Sequence, residues 1–427
     1  MKPFEFAVSG EMVQTVWPFN TMESITQTVD GKKIIPASGA TFADAIQLMQ
    51  FYSATNTQQG ICHNLKRNQR RISAGVKNGT YKGIKELFTA GCPVCGAAGI
   101  PIPGKEGTGI PFLHCEKCKG SFPVRSIHSG KPAISVGAGP SLNKNSHELK
   151  RVMGKAVIIA CDAALKHLLN IGVRPDYVLC LEWDPLAERL FEGVGDVSDI
   201  TLLLTTGASP EVRVNWKGPV YVFDSPTVRK RDRQKQLSMF GDIGTATPGG
   251  NVSASMLSIL SGIQVDPIIL VGHDFSYQTP GNYYASGVHR GCVPLKRHFR
   301  THDIYGDTVY IDQTLFSYKR WHEMVIGMLA GEGGHTFINA TEGGILGATY
   351  YDPEKWVKVK HTARILQYKF GKLWDERRWP TTDEAQENGF KGPNLEIMKY
   401  MTLAEAIDQY VINSVSPEKD TRMEAAA

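Results

Sequence analysis

The chain lacks a long apolar run. No stretch of its 427 residues approaches the ~18 consecutive apolar positions of a membrane-spanning helix. Met1–Trp17 carries no charged start, apolar core and small-residue cleavage site, so no secretory signal is read there. An excess of one charge is missing too. Lys and Arg number 47 against 42 Asp and Glu, a formal +5. That balance suits phosphate-bearing ligands but not, by itself, nucleic acid. Hydrophobic residues at 42% and charged residues at 21% exclude fibrous and largely disordered classes. Cysteine is sparse outside one place: four of the eight form two Cys-x-x-Cys pairs, and Cys62, Cys161, Cys180 and Cys292 are scattered. Free thiols plus a metal site in a reducing compartment are simpler than four disulfides, so a cytoplasmic protein is expected.

The paired cysteines read Cys92-Pro-Val-Cys95, then nineteen residues beginning with Gly96, then Cys115-Glu-Lys-Cys118-Lys-Gly. Two thiolates on one tight turn can point at a single tetrahedral ion, and this spacing is that of a zinc ribbon. Four thiolates leave no open coordination position, which predicts a structural rather than a catalytic zinc. A module this small buries little core, so metal would supply folding energy on the order of 10 kcal/mol.

Before the ribbon, Ala43 to Phe51 has the pattern of a short amphipathic helix. Lys66, Arg67, Arg70, Arg71, Lys77, Lys82 and Lys85 then fall within twenty residues without an acid. A solvated helix face is the simpler reading of this stretch, and a surface for an anionic partner the sharper one. Tyr81 is its single aromatic, which argues against stacking on single-stranded nucleic acid.

From Lys131 onward apolar strand-like runs alternate with helices: Pro132–Val136, Ala156–Ala160, Tyr177–Leu181, Thr201–Leu204, Val220–Phe223 and Pro267–Val271. This predicts a parallel sheet. Ligands bind beyond the carboxyl ends of such strands, so polar residues just after the runs are the candidates. Gly137 and Gly139 would let backbone amides approach a phosphate, with Ser141 adding a hydroxyl or a helix cap. Asp162, Glu182 and Asp184 could hold ribose or base hydroxyls, or a magnesium ion. Gly250-Asn251-Val-Ser253 opens an apolar helix and forms a second potential anion site, with Asp274 placed for ligand contact. Around residues 280–307, His289, Arg290, Lys296, Arg297, His298, Arg300 and His302 suggest a lid. One of His289, His298 and His302 could serve as a general base.

Val136-Gly-Ala-Gly-Pro-Ser-Leu142 resembles the opening motif of archaeal 6-hydroxymethylpterin diphosphokinases and bacterial motility-associated-factor glycosyltransferases. So do Ala160-Cys-Asp-Ala-Ala-Leu165, Gly172-Val-Arg-Pro-Asp-Tyr-Val178 and Ile269-Leu-Val-Gly-His-Asp-Phe275. The opening is also similar to that of bacterial sialyltransferases. Val309 to Trp321 and Ile338-Asn-Ala-Thr-Glu-Gly-Gly344 look like the glycosyltransferase branch in particular. The resemblance implies a Rossmann-like domain binding a nucleotide donor, here a CMP-activated nonulosonic (sialic-like) acid, with a protein or glycan acceptor. It would place Gly137, Gly139 and Ser141 at the phosphate, and Asp162 and Asp184 at nucleoside or sugar. Asn251 and Ser253 would approach the donor, and Glu342 would shape the sugar pocket.

The expectation is therefore an α/β protein with a Rossmann-like, mostly parallel sheet at 126–350. A partly helical basic region at 1–90 and the zinc ribbon at 91–125 precede it, and a helical region at 351–427 follows, its polar tail beginning after Ser416. The alternatives are an ATP-dependent pterin-type diphosphokinase, with Asp162, Glu182 and Asp184 holding magnesium, and a non-catalytic adaptor for nucleic acid or protein.

Overall fold

The computed structural model describes residues 63–88, 91–102, 112–184, 189–224, 230–246, 249–278, 284–285, 299–350 and 390–413, apart from isolated positions within them, plus strands Gln27–Val29 and Lys32–Ile34. The amphipathic segment Ala43–Phe51 and the polar tail after Ser416 lie outside the described residues, as does most of 351–427.

Nine strands form the central sheet: β1 Lys82–Gly83, β2 Ala133–Val136, β3 Val157–Cys161, β4 Tyr177–Cys180, β5 Thr201–Thr205, β6 Val220–Phe223, β7 Ile268–Val271, β8 Phe337–Asn339 and β9 Lys399–Tyr400. Their order is β9-β8-β7-β2-β3-β4-β5-β6-β1, and every pairing is parallel. β2, β3, β4 and β7 are buried along their whole length, which is why each reads as an unbroken apolar run. In β4 and β5 alternation divides the side chains between two cores: Tyr177, Leu179 and Leu203 join one, while Val178, Cys180, Leu202 and Leu204 join the other.

The helices that position the site are α1 over residues 63–77, α2 Leu165–Asn170, α3 Val252–Gly262, α4 Gln313–Gly331 and α5 Leu403–Ile407. α3 is largely apolar and packs across β2, β3 and β4 and against α4. The sheet extends beyond 126–350 on both sides, taking β1 from the basic region and β9 from the carboxyl-terminal region. The described part of that last region holds strand as well as helix.

Three short antiparallel strands, Ile100–Ile102, Phe112–His114 and Ser121–Pro123, carry the cysteine turns. A further hairpin, Phe299–His302 with Thr308–Ile311, rises from the expected lid region. Among the described residues no helix is long and apolar enough to cross a membrane.

Candidate functional site

Strand order reverses between β2 and β7: the chain runs outward from β2 to β6, then returns to lay β7 on β2's other side. In open parallel sheets such a switch point opens a ligand crevice at the carboxyl ends. Here the crevice floor is laced shut. Gly137 N–H donates to Val271 O at 2.8 Å, and Gly139 N–H to Gly272 O at 2.9 Å. Ser141 N–H donates to Asp274 Oδ1 at 3.1 Å and its hydroxyl to Oδ2 at 2.6 Å, while Ala285 N–H covers Ala138 O at 3.0 Å.

The glycines answer to this packing. A Cβ on Gly137 would stand 2.3 Å from Gly272 O, and one on Gly139 2.0 Å from Asp274 Oδ2. The Gly137 and Gly139 N–H groups expected to approach a phosphate are already engaged, as is the Ser141 hydroxyl, and Ser141 is buried. Asp274 is likewise an internal strut. Burial pushes its carboxyl up to about 6, against the downward pull of the Ser141 bonds and Lys144.

Beside the strut lie two buried histidines. His273 Nε2 faces Ser135 O at 3.1 Å and His322 Nδ1 faces Tyr318 O at 2.8 Å. A carbonyl only accepts, so those nitrogens carry protons. Burial brings His273 down to about 3 and His322 down to about 4. Sequence reading missed His322, because helical position alone does not distinguish it from a surface histidine.

The remaining candidates ring this floor. Asp162, at the end of β3, is buried, and its Oδ1 accepts Ala163 N–H at 2.8 Å. Cys180 at the end of β4 lies against it; burial first, then the Asp162 charge, raises that thiol well above its ordinary range. Glu182 and Asp184 follow β4 and are half-buried. Asn251 caps α3, its side chain accepting Ala254 N–H at 2.8 Å, and Ser253 is half-buried in the first turn. α3 runs against the strands, so this amino-terminal turn stands at the carboxyl edge. Asp224, after β6, is buried and accepts the Thr206 hydroxyl at 2.5 Å. It was legible by the same strand-end rule but was passed over.

Glu342 adopts φ +57° and accepts from Asn145 Nδ2 at 3.0 Å and Leu403 N–H at 2.8 Å, tying the β8 loop to the start of α5. The hairpin turn docks on this loop through Ile304 N–H to Gly344 O at 3.0 Å. His302 lies on the hairpin's first strand; its side chain, and all of His289 and His298, fall outside the described residues. Two cavities of about 510 and 430 Å³ lie away from the edge, one beside α2 around Lys166 and Arg174, the other at the amino ends of β2 and β3. Neither gathers the strand-end groups.

In the ribbon the sulfurs lie close: Cys92–Cys118 at 3.2 Å, Cys95–Cys115 at 3.5 Å and Cys95–Cys118 at 3.8 Å. Sulfurs about 2.3 Å from a tetrahedral zinc stand about 3.8 Å apart, so the cluster could hold a metal ion. The Cys118 N–H, ahead of burial and the other thiols, draws Cys115 down to about 6, while the bond with Cys92 pushes Cys118 up to about 12. Such a set shares charge among its thiols and releases protons when a cation enters.

Residues 115–280 match the MptE-like family. The family is described as 6-hydroxymethylpterin diphosphokinase MptE-like. The matched segment spans β2 to β7, hence the whole switch point, but under half of the chain. α1, the Asn339–Gly344 turn and α5 lie outside it. A solved MAf glycosyltransferase from Magnetospirillum magneticum AMB-1 is similar at 20% identity and a TM-score of 0.42, covering 60% of this chain and 41% of that one. The chain thus spans less than half the length of that protein. No curated protein matches.

Proposed function

We propose that this protein is a nucleotide-donor-dependent transferase whose donor lies over the carboxyl edge of the MptE-like segment. One observation carries the reading: the switch point, the amino terminus of α3 and the acids following β3 and β4 all gather at that edge. The donor phosphate sits at Asn251–Ser253, where the first turn of α3 presents main-chain N–H groups without partners inside the helix and the positive end of its dipole. That dipole contributes about 0.3–1 kcal/mol, up to ~2 when partly buried, so the Ser253 hydroxyl and cations of the 280–307 segment must add to it. Glu182, Asp184 and Asp162 take the donor's hydroxyls. Gly137, Gly139, Ser141 and Asp274 form the rigid floor, and Glu342 fixes the wall at α5. The ribbon holds a structural zinc on Cys92, Cys95, Cys115 and Cys118.

The finer reading is glycosyl transfer from a CMP-activated nonulosonic acid to a protein or glycan hydroxyl. The Asn339–Gly344 turn, built into the same edge, favours it. The acceptor oxygen attacks the anomeric carbon, and the bond to the phosphate oxygen breaks with CMP taking the electron pair. The proton passes to a base among His289, His298 and His302. The MptE-like match favours a second reading, diphosphoryl transfer from ATP to a pterin-like alcohol with magnesium held by Asp162, Glu182 and Asp184.

A cation requirement separates the two. Diphosphoryl transfer needs a divalent ion to neutralise the transferred phosphates, whereas a CMP-sugar has one phosphate that amides and arginines can stabilise. Release of CMP from a CMP-activated acidic sugar is expected to persist in EDTA during a short assay. Strictly magnesium-dependent AMP release from ATP, with no CMP-sugar turnover, would establish the second reading.

A further inference from the structure

The basic stretch ahead of the ribbon is attached to the rim of this edge. α1 turns one face inward: Asn64 Nδ2 donates to Trp183 O at 2.8 Å and Gly207 O at 3.2 Å. One turn on, Asn68 Nδ2 donates to Thr206 O and Ala208 O, each at 2.9 Å. Both asparagines are buried. They pin the helix to the loops after β4 and β5, and Trp183 stands between Glu182 and Asp184.

Helical geometry then fixes where the cations go. At 100° per residue, Lys66, Arg70 and Lys77 fall within about 40° of one another and roughly opposite the asparagine face. All three are exposed. They make a stripe of roughly 16 Å pointing outward, with about 6 Å between the first two charges. Arg67 and Arg71, on the flank, are engaged instead, Arg67 with Glu211 at 2.6 Å and Arg71 with Pro210 O at 3.3 Å. Tyr81, the one aromatic of the basic stretch, is buried and offers no platform for stacked bases.

We infer that the Lys66–Arg70–Lys77 face of α1 docks a polyanionic glycan, leading an acidic acceptor chain to the edge at Glu182–Asp184. Exposed cations on one face of the helix, about 6 and then about 10 Å apart along its axis, complement a chain of carboxylates, and the asparagine clamp holds them in place beside the site. The glycan's role as acceptor rests on the transferase reading; its binding does not.

The test is fluorescence anisotropy of the full-length protein with a labelled polygalacturonate oligomer, a neutral dextran oligomer and a 20-nucleotide single-stranded DNA. Lys66→Glu/Arg70→Glu and the milder Lys66→Gln/Arg70→Gln are compared with wild type, with circular dichroism confirming that each is folded. The wild type should bind polygalacturonate in preference to both other probes, with affinity falling as salt rises. The variants should lose about tenfold or more. Equal binding of dextran, tighter binding of DNA, or undiminished polygalacturonate binding by the folded variants would each overturn the inference. A nucleotide-induced melting shift, read on the same proteins, reports the donor site separately. If that shift is absent while variant-sensitive glycan binding remains, the docking surface stands and the transferase reading fails.

Discussion

Asp274, His273 and His322 titrate in opposite senses beneath the switch point. A carboxyl raised from 3.8 to about 6 binds its proton more tightly in the folded state. Asp274 therefore adds stability as pH falls from about 6 toward 3.8. The histidines, lowered from 6.5 to about 3 and about 4, bind protons more tightly when unfolded. They withdraw stability as pH falls below 6.5, and their combined shifts are the larger. Urea unfolding should accordingly show the protein weaker at pH 4.5 than at pH 7. Asp274→Asn should steepen that difference by removing the offsetting gain, and His322→Phe should flatten it. Unchanged pH slopes in both variants would show that neither group is buried as described.

Gly139 also belongs to this scale. The sequence motif invited a phosphate at its amide, yet an added Cβ meets Asp274 and Gly272 first. Gly139→Ala is expected to cost about 1–3 kcal/mol or more through overpacking, read as a lower urea midpoint. An unchanged midpoint would mean that the loops stand further apart. Which backbone passes at contact distance is a tertiary fact that a Gly-x-Gly pattern does not contain.

Among the elements, β2 to β7 and the ribbon were readable because their causes are local: unbroken apolar runs and cysteine spacing. β1 and β9 were not. Lys82–Gly83 and Lys399–Tyr400 are two residues each, without an apolar pattern, and join the sheet through neighbours distant in sequence. In α1 the cations drew the reading away from Asn64 and Asn68, although their four-residue spacing marks one helical face. Asn64→Ala with Asn68→Ala should destabilise the protein by about 1–3 kcal/mol per site, since four carbonyl contacts are lost. Limited proteolysis should then cut within 63–77 earlier than in wild type; equal protection would refute the clamp. For the ribbon, about one zinc per chain is expected by metal analysis, and Cys92→Ser with Cys115→Ser should remove it. Wild-type protein without zinc and with all four thiols freely reactive would contradict the assignment.

At the scale of the whole molecule, the edge combines parts from far apart in the chain. α1 comes from before the ribbon, the floor and the loops that α1 grips come from the MptE-like segment, and the wall at Glu342 and α5 from beyond it. Strand-end logic located Asp162, Glu182 and Asp184 because it needs only the strands. It could not show that Ser141 and Asp274 face each other, because their pairing depends on the order in which β2 and β7 meet. The central claim is that a nucleotide donor binds at this edge. Its most direct measurement is a thermal-shift panel of CMP, CTP, ATP, GDP and UDP-sugars on wild type, Asp184→Asn and Ser253→Val. A ligand at 100 times its dissociation constant stabilises by about 2.7 kcal/mol, a readily seen rise in melting temperature. The account predicts such a rise with a cytidine nucleotide in wild type and its loss in both variants. No shift with any nucleotide, or an equal shift in all three proteins, would contradict it.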